Sequence, residues 1–263
     1  MKLTVLTENC AGTKFGAEHG LSYLIESDGK KLLFDTGHSD LYLRNAELLN
    51  LDLKTEVNTI VLSHGHWDHG DGLQYLEKKT LITHPASFTK RYRKNDHSYV
   101  GLKSSQEEIT ANFKLIASEG PYFITPGIVF LGSIPRLNDF ESGTTAFIDD
   151  QGQEDYVPDD SGLAIIQDHQ LVIISGCAHS GICNMIEYAK SITGIPDIKA
   201  VLGGFHLKHQ SPQTKKTINY LKDNGVSAVF PSHCTELPAL SAFYDAFKIN
   251  QLKSGMVLEF QNS

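Results

Sequence analysis

The sequence predicts an α/β protein of the layered α+β kind, in which two packed β-sheets lie between layers of helices. Short apolar runs typical of strands alternate with helix-like stretches in both halves of the 263-residue chain. Hairpin-like pairs, such as the strands around the turn at Asp28 and Gly29, are mixed with connections long enough to hold a helix. Because strands precede helices in both halves, we expect two sheets flanked by helices and not one doubly wound parallel sheet.

The N-terminal half is predicted to begin with strands and to end in a histidine-rich loop followed by a helix. Runs of Leu, Ile, Val and Phe bounded by polar residues or glycine indicate the strands, and Ser39 is a suitable N-cap for the first helix. In chain order, the predicted elements are strands at 3–6, 21–25 and 31–34, a helix at 39–50, a strand at 57–62, a helix at 70–79 and a strand at 81–83.

The C-terminal half repeats this alternation after a more polar and less regular segment at 85–119, which we interpret as an insertion over one face. There is no low-complexity linker, so we expect a single domain over residues 1–263. The elements predicted after the insertion are strands at 128–131, 145–148, 163–166 and 171–174, a helix at 182–191, a strand at 198–202, a helix at 214–224, a strand at 226–230, a helix at 239–247 and a strand at 256–260.

Composition and charge limit the functions that the chain can have. Its 23 basic and 31 acidic residues give a net charge of −8, which argues against non-specific binding to nucleic acid. No apolar run approaches the ~20 residues that cross a bilayer, and the N-terminus lacks the apolar core of a signal peptide. The 4 cysteines are too few for a disulfide framework. We therefore expect a cytoplasmic protein with free thiols, a small-molecule substrate and no membrane partner; the oligomeric state is left open, a homodimer included.

Four potential metal ligands follow the predicted strand at 57–62 within six positions. They are His64, His66, Asp68 and His69, in the sequence HGHWDHG. Imidazole and carboxylate groups suit zinc and similar metals. His64 and His66 can point into one site if the loop is extended, while Asp68 and His69 turn toward a second position nearby. A surface loop with one His-x-His is common, but this density at the end of a buried strand predicts a metal site.

HGHWDHG resembles the His-x-His-x-Asp-His signature of the metallo-β-lactamase superfamily. The resemblance implies an αββα sandwich with metals at one edge of the sheets, and it implies that Asp35 of FDTG supports the site without binding metal. The chain is also similar to a subgroup of metal-dependent hydrolases related to dihydropterin–ribofuranosylaminobenzene-phosphate synthase. The pieces that carry this second similarity are EHGLS at 18–22, IPR at 134–136, GCAHSG at 176–181, GGFHL at 203–207 and SHCT at 232–235.

The remaining ligands are expected at strand ends farther along the chain. His233 matches the last ligand position of the superfamily, and His179 lies in a glycine-rich loop after a strand. Cys177 stands where superfamily members usually have a bridging aspartate. The other half of the centre is therefore open between Cys177, Asp159 and Asp160 as substitutes for that carboxylate.

These observations predict a metal-dependent hydrolase or related transferase that uses a metal-activated water on a small anionic substrate. The resemblance points toward a pterin or a phosphorylated precursor as substrate. The cofactor is one or two divalent metal ions, zinc first, with manganese and iron as alternatives. The expected roles are metal ligands His64, His66, Asp68, His69, His179 and His233; catalytic residues Asp68 and His206; substrate-binding residues Arg136, Glu18 and His19; and supporting residues Asp35 and Cys177.

A non-hydrolytic metal or redox protein with an iron–thiolate site is the alternative, because cysteines lie near the histidines in the sequence. The visible spectrum of the purified protein separates the two hypotheses. A colourless protein that contains zinc or manganese favours hydrolysis, whereas a charge-transfer band favours iron bound by thiolate.

Overall fold

The computed structural model describes residues 1–260 and contains the two large sheets that the sequence predicts. The strands are β1 (Lys2–Thr7), β2 (Ser22–Ser27), β3 (Lys30–Phe34), β4 (Thr59–Val61), β5 (Thr80–Thr83), β6 (Arg91–Arg93), β7 (Lys114–Ala117), β8 (Tyr122–Thr125), β9 (Ile128–Phe130), β10 (Phe147–Asp149), β11 (Glu154–Asp155), β12 (Gly162–Gln167), β13 (Gln170–Ser175), β14 (Ile198–Gly204), β15 (Ala228–Ser232) and β16 (Val257–Glu259).

The helices connect these strands. They are α1 (Leu41–Leu48), α2 (Leu53–Glu56), α3 (Trp67–Gly70), α4 (Gln106–Asn112), α5 (Ile182–Thr193), α6 (Pro212–Asp223) and α7 (Leu237–Phe247), with short 3₁₀ turns at Asp71–Tyr75 and Pro85–Phe88. Within residues 1–260, none of them is long and apolar enough to span a membrane.

Each large sheet contains a parallel block whose strands end at the same edge. The first sheet has the order β16-β1-β2-β3-β4-β5-β7, and β3, β4, β5 and β7 are parallel. The second has the order β15-β14-β13-β12-β9-β8, and β13, β14 and β15 are parallel. A third, small sheet joins β11, β10 and β6. The loops after the parallel strands therefore all leave from the carboxyl ends of these strands, at one end of each sheet.

Alternation along the strands explains the four layers. In β13, Val172 and Ile174 pack into the core between the sheets, whereas Leu171 and Ile173 pack against α5 and its neighbouring helices. In β3, Leu33 faces a separate cluster that includes α1 and α2 residues. Successive side chains of a strand point to opposite faces, so a run that is apolar throughout is a strand covered on both sides. The αββα sandwich is confirmed.

The structure differs from the predicted elements mainly around residues 67–117. The predicted helix at 70–79 is instead α3 followed by a 3₁₀ turn that ends at Tyr75. A side chain at Gly72 would meet the carbonyl oxygen of Thr36 at 2.1 Å, so this turn is shaped by close backbone packing and not by helix propensity. The polar segment 85–119 is not only an insertion, because β7 pairs with β5 in the first sheet and β6 joins the third.

Candidate metal centre

The predicted ligands meet where the parallel strands of both sheets end. Four of the residues that follow β3, β13, β14 and β15 have left-handed backbones with φ of 50–56°: Asp35, Ala178, His206 and His233. This conformation costs free energy for a residue other than glycine, and such residues cluster at functional sites. It turns the chain sharply at each strand end, so that the side chains converge.

His64, His66 and His179 form the first ligand set, whose ring nitrogens lie within 4.8 Å of one another. Nε2 of His64 lies 2.9 Å from Nδ1 of His66, and the Nε2 atoms of His66 and His179 are buried without a hydrogen-bond partner. Burial lowers the pKa of all three imidazoles well below the ordinary value, so the rings are neutral near pH 7. Neutral imidazoles with unpartnered, buried nitrogens fit a divalent metal ion.

Asp35 fixes the orientation of two histidines from behind. Its carboxylate accepts the backbone N–H and the hydroxyl of Ser63, each at 2.7 Å, and Nδ1 of His69, also at 2.7 Å. Since the Ser63 hydroxyl donates to Asp35, its oxygen accepts the Nδ1–H of His64 at 2.9 Å. Both rings therefore carry their proton on Nδ1 and present an Nε2 lone pair toward the centre.

A buried ion pair holds the loop between His64 and His66. Asp159 accepts the Gly65 backbone N–H at 2.6 Å and pairs with Arg91 at 2.6 and 3.1 Å, while Arg91 also binds Asp155 at 2.8 Å. Gly65 is required here, because a Cβ would lie 1.8 Å from the Ser87 carbonyl oxygen. The Asp159 carboxylate is thus already engaged and does not substitute for a bridging ligand.

Asp68, His69, Cys177 and His233 form the second ligand set. Nε2 of His69 lies 3.2 Å from Sγ of Cys177 and 3.9 Å from Oδ2 of Asp68, and Nε2 of His233 lies 3.4 Å from the same oxygen. Burial raises the pKa of the Asp68 carboxyl, but the neighbouring imidazoles of His69, His19 and His233 outweigh burial and hold that pKa well below its ordinary value. Asp68 is therefore ionised across the physiological range.

The ligand atoms of the second set do not form one compact group. Among residues 1–260, they belong to two groups of neighbouring atoms: one contains His64, His69 and Cys177, and the other contains His19, Asp68 and His233. Cys177 thus lies among the ligands and not only beside them. Burial raises its pKa well above the ordinary value, so the free thiol is protonated, and a bound metal would have to displace that proton.

Asp160, the other predicted substitute, lies outside these groups. One of its oxygens accepts the Ser180 backbone N–H at 2.8 Å, and the other has no hydrogen-bond partner. Burial raises its pKa to about 6.

A cavity of about 570 Å³ opens on the ligands, and its size is typical of a small-molecule site. His19, predicted to bind substrate, lines it and contacts Oδ2 of Asp68 at 3.2 Å; His206, predicted to be catalytic, also lines it. Three basic side chains join them: Arg93, Lys94 and Lys208. A larger depression of about 750 Å³ runs along residues 73–79 and 103–113. None of the potential metal ligands found among residues 1–260 lines it.

Two predicted substrate-binding residues do not line this cavity. Arg136 is exposed and donates to the carbonyl oxygen of Tyr156 at 2.7 Å. The Glu18 carboxylate accepts the His38 backbone N–H at 3.1 Å and the hydroxyl of Ser39, just before α1. Glu18 therefore anchors a turn, and the basic residues on the cavity are ones that the sequence did not single out.

Sequence reasoning also missed Asn9, which orients the nearby His19 and, from the other end of the chain, His233. Its Oδ1 lies 3.0 Å from Nδ1 of His233, and its Nδ2 lies 3.3 Å from Nδ1 of His19. The tautomer that donates from Nδ1 of His233 to Asn9 leaves Nε2 free as a ligand. Cys234, next to His233, was missed as well, although it belongs to the SHCT motif that carried the family resemblance.

Comparisons with known proteins identify the family of this chain. Residues 15–233 match the family model of the metallo-beta-lactamase superfamily. An uncharacterized protein of Methanocaldococcus jannaschii is 36% identical over 261 residues, which cover 96% of this chain and 95% of that protein. The 7,8-dihydropterin-6-methyl-4-(beta-D-ribofuranosyl)-aminobenzene-5'-phosphate synthase of the same organism is 34% identical over 288 residues, covering 99% of this chain and 97% of the synthase.

A crystal structure described as a metal-dependent hydrolase of the β-lactamase superfamily matches over 100% of both chains, with a TM-score of 0.87 and 30% identity. The family model covers most of the chain, and the layers agree with those that the sequence resemblance implied. The chain belongs to the metallo-β-lactamase superfamily.

Proposed function

We propose that this protein is a metal-dependent enzyme, a hydrolase or a related transferase, that acts on a small anionic substrate related to pterins or their phosphorylated precursors. The observation that carries the proposal is the convergence of unpartnered imidazole nitrogens and an ionised carboxylate on one cavity of about 570 Å³. A metal held by His64, His66 and His179 would supply Lewis acidity and would lower the pKa of water to about 7.

The chain's own residues position the reactants. Asp68 is ionised and faces the cavity, so its carboxylate accepts a hydrogen bond from a water and aims that water at the substrate. Asn9 and Asp35 keep the rings around Asp68 in one tautomer, as described above. Because these supports are in place before substrate binds, little reorganisation is needed during the reaction.

The charge pattern supports a small anion and argues against nucleic acid. The whole chain carries −8, yet Arg93, Lys94 and Lys208 line the cavity. Lys94 and Lys208 have acidic neighbours, Glu154 and Glu236. The positive charge is therefore confined to the cavity and does not form an extended basic surface. A phosphate or carboxylate on a small molecule fits such a site better than a long phosphate backbone.

Two of the similar proteins bear on the substrate and on the reaction. One relative is named as a synthase whose product contains a dihydropterin and a phosphate, and a similar crystal structure is described as a hydrolase. Both reaction types need a polarised oxygen and a positioned nucleophile, so the same ligand geometry serves either one.

The test is a substrate screen with purified protein, with and without a chelator. Phosphoesters, lactones, thioesters and β-lactams report hydrolysis, and a dihydropterin with an aminobenzene acceptor reports group transfer. We expect turnover of an anionic substrate that chelation abolishes and added metal restores. Turnover that survives complete removal of metal, shown by elemental analysis, would contradict the proposal.

His169→Ala is the matched control, because this histidine lies in the exposed turn between β12 and β13. We expect it to keep the activity and the metal content of the unmodified protein.

A further inference from the structure

Two cysteines and a histidine outside the first ligand set come together on one side of the cavity. Cys177 follows β13, His206 follows β14, and Cys234 follows β15. One nitrogen of His206 and both sulfur atoms lie within 4.8 Å of one another. We call these three residues the thiol cluster.

From this geometry we propose that the thiol cluster is a metal-binding position of its own, which takes a thiophilic divalent ion such as zinc. Soft thiolate ligands select zinc and similar metals over magnesium or calcium. In a tetrahedral zinc site, bond lengths of about 2.3 Å to sulfur and 2.0–2.1 Å to nitrogen place the ligand atoms about 3.5–3.8 Å apart. Ligand atoms within 4.8 Å of one another need only small side-chain adjustments to reach that spacing.

The surroundings of His206 agree with a ligand role. Its Nδ1 is buried and has no hydrogen-bond partner among the described residues, and its backbone has the left-handed φ of 50°. Its backbone N–H donates to Sγ of Cys234 at 3.3 Å, which ties the imidazole and this sulfur to one local frame. A buried nitrogen without a partner costs free energy that a metal would recover.

Glycine keeps the backbones close enough for this arrangement. A Cβ at Gly204 would lie 2.6 Å from Sγ of Cys234 and 2.3 Å from the Gly176 carbonyl oxygen. The absence of a side chain at Gly204 therefore lets Cys234 approach the loop that carries Cys177.

The position has three protein ligands and an open side. Cys177, His206 and Cys234 all line the cavity of about 570 Å³, so the fourth coordination place faces the substrate space. Three ligands with an open place are typical of reactive zinc and not of structural zinc. Cys177 also belongs to the group with His64 and His69, so its sulfur is shared between the thiol cluster and the second ligand set.

This assignment gives His206 a metal-binding role in place of the catalytic role predicted from sequence. The metal position at the thiol cluster goes beyond the proposed function. It is tested by absorption spectra and by protection of the thiols, and neither measurement requires enzymatic turnover. A failure of the substrate screen would leave it standing, and its own failure would leave the first ligand set intact.

Cobalt substitution tests the proposal. Reduced, metal-stripped protein is titrated with Co²⁺, and the near-ultraviolet thiolate-to-cobalt charge-transfer absorbance is measured per chain. We expect a two-thiolate band in the unmodified protein that falls to about half in Cys234→Ser. Cys10→Ser is the matched control and keeps the full band, because Cys10 lies in none of the ligand groups. A band of equal intensity in the unmodified protein and Cys234→Ser would overturn the proposal, as would no band at all.

A second measurement uses the unmodified chain and so does not depend on a variant that folds. Zinc-loaded and stripped protein are treated with an alkylating reagent, and modification of each cysteine is measured by mass spectrometry. We expect zinc to slow alkylation of both Cys177 and Cys234 at least tenfold and to leave Cys10 unchanged. Protection of Cys177 alone would assign that sulfur to the second ligand set only and would refute the thiol cluster as a site.

Discussion

The first ligand set consists of neutral imidazoles, whereas the second combines a carboxylate, two imidazoles and a thiol. His64, His66 and His179 have lowered pKa values, and the loop that carries His64 and His66 is held by Asp35 and by the Arg91–Asp159 pair. Around Asp68 the supports are a half-exposed His19 and the amide of Asn9. The first set is therefore a preformed nitrogen site, while the second carries the negative charge of Asp68 and the thiol of Cys177, which stays protonated until a metal binds.

The largest expected effect comes from removing one ligand of each set. We expect His64→Ala to lose the metal of the first set, and Asp68→Ala to lower turnover by about 10²–10⁴-fold through loss of the positioned carboxylate. Metal content and turnover are measured on the same samples. If Asp68→Ala has no more effect than His169→Ala, the assignment of Asp68 to the reaction is wrong.

Breaking the Arg91–Asp159 ion pair tests whether the loop of the first ligand set is held more rigidly than the surroundings of Asp68. Arg91 is fully buried, and Arg91→Met leaves the Asp159 carboxylate buried and unpaired, so we expect unfolding free energy to fall by about 3–5 kcal/mol. Lys94→Met, which breaks the partly exposed pair with Glu154, is expected to cost much less, because solvent screens this pair. Urea denaturation measures both, and equal losses would show that the buried pair does not support the loop.

Asp160 is expected to make the stability of the protein depend on pH. Burial raises the Asp160 pKa to about 6 from 3.8, so between these values the folded protein keeps a proton that the unfolded chain releases. Stability therefore falls as pH rises from about 4 to 6, and that cost persists at neutral pH. Relative to the unmodified protein, we expect Asp160→Asn to gain on the order of 3 kcal/mol between pH 4 and 7 in metal-free samples.

The control for this measurement is Asp168→Asn, at a surface pair with Lys199. The pKa of Asp168 is lowered by its hydrogen bond with Lys199, so the sign of its pH dependence is the opposite. A stability difference at Asp160 that does not change with pH would show that its carboxyl titrates normally.

The smallest of these effects is expected at Asp35, which contacts His69 of the second set directly and reaches His64 of the first set through Ser63. Asp35→Asn keeps the shape of the side chain but removes its negative charge. The new amide N–H₂ group faces hydrogen-bond donors of Ser63 and His69, which therefore lose an acceptor. Residues that orient metal ligands typically contribute 10–100-fold in affinity or activity. Zinc affinity measured by competition with a chelator checks this. An unchanged affinity would show that residues other than Asp35 orient the rings of His64 and His69.

The layers and the first ligand set were predictable because their signals are local. Apolar runs define β3, β4 and β13, and the spacing of His64 and His66 defines two of the three ligands of the first set. The supports were not predictable in this way. Arg91 and Asp159 are 68 positions apart, and Asn9 and His233 are 224 apart, so no pattern in the sequence links them before the chain folds.

The second ligand set was predicted only in part for the same reason. The position of Cys177 after a strand was recognised, yet its closeness to His206 and Cys234 depends on β13, β14 and β15 lying side by side. Arg136 and Glu18 were chosen from motif similarity, and the structure gives them local partners instead. Chemistry that depends on the register of neighbouring strands becomes visible only in three dimensions.

The left-handed strand ends have a consequence for the lifetime of the protein in a cell. Four such residues cost about 4–8 kcal/mol together, a large share of the 5–15 kcal/mol by which a domain is typically stable. A metal present at a thousand times its dissociation constant returns about 4 kcal/mol. Chains made during metal shortage would therefore open more often and be degraded sooner, so that the abundance of the protein follows the metal supply.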